Sequence, residues 1–93
     1  MGLRIVMACD DAGVDYKNIL KADLEADPRV ETVIDCGVLD AADNTPYAHA
    51  AVAGARLIAD GQADRGLFVC GTGMGVAISA NKVPGIRASV AHD

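Results

Sequence analysis

Residues 3–8 form a short apolar run centred on Ile5 and Val6, the signature of a buried β-strand. From about residue 14 to 26, Tyr16, Ile19, Leu20 and Leu24 recur at helical spacing. Lys17, Lys21 and Glu25 occupy the other face, so an amphipathic helix is expected. Pro28 ends it, because the residue before a proline is pushed out of the helical region. Residues 30–35 read as a second strand and residues 37–45 as a polar loop. Ala48, Ala51, Val52, Ala55 and Ile58 then repeat at helical spacing over about 46–60, with Gly61 as a stop. Residues 65–70 hold a continuous apolar run, consistent with a central parallel strand covered on both faces. A glycine-rich turn (71–75), a short buried helix (76–81), a break at Pro84-Gly85 and a fourth strand over 86–90 complete the pattern.

Strands and helices therefore alternate, which implies an α/β domain with a parallel sheet, helices on its faces and right-handed crossovers. The fourth strand finishes just before Asp93, with no helix after it to cover the sheet. One face should be under-packed, so either another chain covers it or residues 1–93 are a single domain cut short at its C-terminal side.

Composition narrows the function classes. The chain has 93 residues, one domain at most, with 52% apolar but only 3% aromatic residues. Ala, Val, Ile and Leu therefore make the core, a mix suited to close helix–sheet packing. The net charge is −5, from 8 basic and 13 acidic residues without a basic cluster, which argues against nucleic-acid binding. Cys9, Cys36 and Cys70 are odd in number and widely spaced, without a CxxC or a zinc-type Cys/His spacing. A reducing compartment and no metal are expected. No apolar run is long enough to span a bilayer and no signal-peptide pattern is present, so a cytoplasmic protein without membrane contact is expected.

In open parallel sheets, ligands bind beyond the carboxyl ends of the strands. Two turns fall there. The turn at 70–75 holds Cys70, Gly71, Thr72, Gly73, Met74 and Gly75. Its alternating glycines permit close backbone approach, and their N–H groups can form an anion nest at a helix N-terminus. The loop matches neither GxGxxG, which needs a small residue at Val76, nor a P-loop. The competing reading is a tight strand-to-helix turn and nothing more. Cys70 stands at the lip of the nest, where a thiolate is stabilised and could act as base or nucleophile. Alternatively it is a small buried apolar residue, as Cys9 and Cys36 are expected to be. The other turn holds Asp10 and Asp11, whose carboxylates could bind sugar hydroxyls or simply cap the turn. His49, His92, Asn81, Lys82 and Arg87 could contribute, though solvation or turn positioning is the commoner role.

Residues 4–13, 47–52 and above all 69–93 together resemble the family of type B ribose-5-phosphate isomerases and galactose-6-phosphate isomerase subunits. The resemblance runs the whole length of the chain. It implies a Rossmann-like three-layer sandwich, lacking the family's C-terminal strand and helices, and a homodimer or higher homo-oligomer with shared active sites. It implies aldose–ketose isomerisation of a sugar phosphate of the ribose 5-phosphate type through a cis-enediolate, with no cofactor or metal. Cys70 stands at the family's catalytic base, and Gly71, Gly73, Met74 and Gly75 lie in the loop that stabilises the oxyanion. Thr72 lies inside that loop and Asp10 matches the substrate-binding aspartate. Asp11 replaces a histidine that lies near the substrate phosphate in the family, which leaves the identity of the sugar open, tetrose phosphates included. The family's ring-opening acid and phosphate-clamping arginines belong to a C-terminal part that follows the matched region, and His92 does not stand at the position of that acid.

Two other classes compete. One is a non-catalytic phosphosugar-binding subunit of a hetero-oligomeric isomerase. The other is a nucleotide- or flavin-binding module, against which the missing GxGxxG and the lack of a suitable acidic residue after the second strand both count.

Overall fold

The computed structural model describes residues 2–39, 46–71 and 74–91. Strand β1 (Leu3–Cys9) leads through a 3-10 turn (Asp11–Gly13) into helix α1 (Val14–Ala26). Then follow β2 (Val30–Asp35), α2 (Tyr47–Ala59), β3 (Arg65–Val69) and α3 (Met74–Asn81). The described strands form one parallel sheet in the order β2-β1-β3. Right-handed crossovers then put α1 on one face and α2 on the other. The packing agrees: α1 lies mainly on β1 and β2, while α2 lies on β1, β3 and α3. The result is an α/β three-layer arrangement whose winding reverses at β1.

The buried central strand is β1, not β3. Ile5 to Cys9 are buried on both faces, because β1 is paired on both sides. β3 is an edge strand, with Arg65, Gly66 and Leu67 exposed. The expected fourth strand over 86–90 is absent, as those residues are not in a strand. Asn81 fastens this segment to α3 instead. Its side-chain amide donates to the Ala88 carbonyl at 3.0 Å and accepts from the Ala88 N–H at 2.9 Å. Both backbone groups of Ala88 are thereby held by the last residue of α3. An apolar cleft of about 270 Å³ is left between α3 and β3, lined by Ile58, Phe68, Ile86, Ala88 and Val90 among others.

Helix α1 presents a different face to the sheet than periodicity implies. Val14 and Lys17 are buried, while Tyr16 and Ile19 are each 64% exposed. Positions 14, 17, 21 and 24 are also one helical stripe. Lys17 can lie within it because its ammonium finds partners below, described further on. Helix α3 begins at Met74, earlier than expected, and is only half covered. Val76 and Ala80 are buried, whereas Met74 and Ile78 are exposed. Its inner side joins Ala55, Ala80 and Val83 to Phe68 and Ile86.

Candidate active site

The reversal of winding at β1 opens a crevice at the carboxyl ends of β1 and β3, where open α/β sheets bind ligands. Both turns singled out in the sequence lie there. Asp10 follows β1 in an extended conformation, and its N–H donates to the Val69 carbonyl at 3.1 Å. Its carboxylate accepts from the Gly13 N–H at 2.8 Å, capping the 3-10 turn, and from the Gly71 N–H at 3.3 Å. The same side chain thus closes its own turn and reaches the other. The 3-10 turn passes directly over the end of β3. A Cβ at Gly13 would lie 2.7 Å from the Val69 carbonyl oxygen, so a side chain at that position would force the turns apart.

Cys70 is half-buried, and the peptide that joins it to Gly71 is the one that donates to Asp10. Thr72 and Gly73 lie outside the described residues, as does His92. Met74 and Gly75 open α3, whose first-turn N–H groups belong to the same end of the sheet. Asp11 is exposed in the first turn of the 3-10 segment. His49 is exposed on α2, and Lys82 and Arg87 are exposed. Asn81 holds the Ala77 and Ala88 backbone, a positioning role.

Of the other two thiols, Cys36 is half-buried, less enclosed than expected. Cys9 is fully buried and its thiol donates to the Val38 carbonyl at 3.3 Å. Burial pushes the Cys9 and Cys36 thiols above their ordinary values, holding both protonated. Among the described residues, no three His, Cys, Asp or Glu side chains converge as a metal site would require. No described helix is long and apolar enough to cross a membrane.

Sequence reasoning missed Tyr47 as a site residue. Its ring covers the start of α3, since a Cβ at Gly75 would meet its Cε1, Cζ and Oη atoms at 2.7–2.8 Å. The available signal was topological. Tyr47 is the first residue of α2, which follows the carboxyl end of β2 and therefore starts on the binding side of the sheet.

The sequence profile of the ribose/galactose isomerase family matches residues 5–93, nearly the whole chain. The chain belongs to that family. It is 57% identical over 93 residues to D-erythrulose-4-phosphate isomerase 2 of Mycolicibacterium smegmatis, covering 100% of this chain and 61% of the relative. Ribose-5-phosphate isomerase B of Escherichia coli is 40% identical over 90 residues, 97% of this chain and 58% of its own length. Among solved structures, type B ribose 5-phosphate isomerase of Trypanosoma cruzi superposes with a TM-score of 0.89 at 30% identity. That superposition covers 100% of this chain and 60% of the other. The Trypanosoma brucei enzyme gives 0.85 at 35% identity, covering 100% of this chain and 62% of the other. The chain spans about 60% of the length of these ribose/galactose isomerase relatives.

Proposed function

We propose that this chain carries the proton-transfer half of an aldose–ketose isomerase acting on a small sugar phosphate. The observation that carries the reading is the Asp10–Gly71 hydrogen bond, which joins the two strand ends beside Cys70. In this mechanism the Cys70 thiolate removes the proton from C2 of the open-chain aldose, leaving a cis-enediolate. The thiol, whose proton exchanges with solvent, protonates C1, and the hydroxyl proton passes from O2 to O1, so the ketose forms without net loss or gain. The Gly71 N–H and the first turn of α3 supply donors at the end of the sheet where, in this reading, the oxygen gains charge, and preorganised donors of this kind supply much of a catalyst's advantage. Asp10 accepts from a sugar hydroxyl. Asp11 disfavours a phosphate at its own position, so the phosphate is gripped elsewhere, in a shared site of a homo-oligomer.

A four-carbon sugar phosphate is the first substrate to try, since the 57% identical relative is a D-erythrulose-4-phosphate isomerase. The purified protein is incubated in D₂O with D-erythrulose 4-phosphate, and separately with D-ribulose 5-phosphate, and deuterium at C1 is followed by NMR. Incorporation from either supports the reading. Binding of the sugar phosphate without incorporation would instead favour a non-catalytic subunit.

A further inference from the structure

Lys17 is fully buried, and the mechanism makes no use of it. Its Nζ lies 2.9 and 2.7 Å from the two Asp35 carboxylate oxygens and donates to the Val38 carbonyl at 2.8 Å. Asp35 Oδ1 also accepts from the Gly37 N–H at 2.8 Å, and Lys21 lies 3.8 Å from Asp35 Oδ2. The pair therefore grips the backbone of 37–38. That same stretch is laced to the end of β1. The Cys36 N–H donates to Met7 at 2.8 Å, the Cys9 N–H donates to Gly37 at 2.8 Å, and the Val38 N–H donates to Cys9 at 3.1 Å. Both backbone groups of Cys9 are thus held by residues that Lys17 and Asp35 fix. The next residue is Asp10.

Apolar side chains of similar volume often stabilise a fold as well as a buried ion pair does. What they lack is the directional bonding that Lys17 supplies to Val38 and Asp35 supplies to Gly37. We propose that Lys17 and Asp35 are positioning residues, whose ion pair sets the end of β1 so that the Asp10 carboxylate meets Gly13 and Gly71. The placement stands on geometry, while its consequence for turnover rests on the isomerase reading.

The test uses ¹⁵N-amide NMR of the full chain. Asp10→Ala defines where the Gly13 and Gly71 signals lie once the carboxylate is gone. In the Lys17→Met/Asp35→Leu double variant, both signals should move toward those positions while the spectrum stays dispersed. If they keep their wild-type positions while Gly37 and Val38 shift, the strut is local and the proposal is overturned. Should the double variant not fold, Asp35→Asn is read by the same criterion, since it keeps an acceptor for Gly37 but removes the charge opposite Lys17. In turnover, loss of positioning should raise KM for D-erythrulose 4-phosphate severalfold with a smaller change in kcat, as for a uniformly binding group. An inactive wild type would sink the isomerase reading, and the amide shifts would still decide the positioning role.

Discussion

The carboxylate of Asp10 accepts a hydrogen bond from the N–H of Gly71, 61 residues away, at 3.3 Å. Its other oxygen holds the Gly13 N–H at 2.8 Å. One short side chain therefore closes the turn after β1 and fastens it to the turn after β3. The crevice between two neighbouring strands becomes a defined site by this contact.

Replacing Asp10 should affect both stability and turnover. Losing a capping carboxylate costs about 0.5–2 kcal/mol, so Asp10→Ala should unfold at lower urea than wild type. Hydrogen bonds to a charged group are worth about 1.5–3 kcal/mol. If Asp10 binds the sugar, kcat/KM in the Ala variant should fall roughly 10- to 150-fold. Steady-state kinetics with D-erythrulose 4-phosphate and a urea titration check the two arms separately.

Gly13 is a packing requirement. With the Val69 carbonyl 2.7 Å from where a Cβ would sit, Gly13→Ala must push the 3-10 turn off β3. Overpacking of this kind costs about 1–3 kcal/mol. In a domain of this size each kcal/mol lowers Tm by about 4–8 °C. A thermal melt followed by circular dichroism should show that loss, and an unchanged Tm would mean the two turns are not in contact.

The acid limb of stability should carry a contribution from Asp27. Hydrogen bonds from the Arg29 side chain and then its backbone N–H hold the Asp27 carboxyl at about 2, against an ordinary 3.8. The folded state therefore binds fewer protons than the unfolded chain between these values. The stability so contributed is complete above the unfolded value and is lost as pH falls through the folded one. Between about pH 4 and pH 2, Tm of the wild type should fall more steeply than that of Asp27→Asn. Parallel slopes would show that the pair does not persist in solution.

Periodicity was a good guide wherever a segment's own residues decide its state. The bounds of α1 and β2, and nearly those of β1, α2 and β3, follow from runs and stripes of apolar positions. It failed where a partner distant in sequence decides. Lys17 reads as a solvated residue until Asp35, 18 positions on, supplies its counter-charge within the packed layers. β3 carries the apolar run of a central strand, yet among the described strands it pairs only with β1 and leaves Arg65, Gly66 and Leu67 exposed, because residues 86–90 form no strand. The site divides in the same way. That Asp10, Cys70 and Gly71 fall at one end of the sheet is legible because strand ends and glycine turns announce themselves. The place of Tyr47 is not, because only the sheet's topology brings the start of α2 against Gly75.

In the proposed reaction Cys70 moves the proton, and solvent exchange in a Cys70→Ala variant checks this. The variant and the wild type are incubated in D₂O with D-erythrulose 4-phosphate, or with D-ribulose 5-phosphate if that is the sugar the wild type exchanges, and deuterium at C1 is measured by NMR, with the amide spectrum confirming that the fold is retained. Incorporation is expected with the wild type and none above the uncatalysed rate with the variant. Undiminished incorporation by a folded Cys70→Ala protein would contradict that role of Cys70.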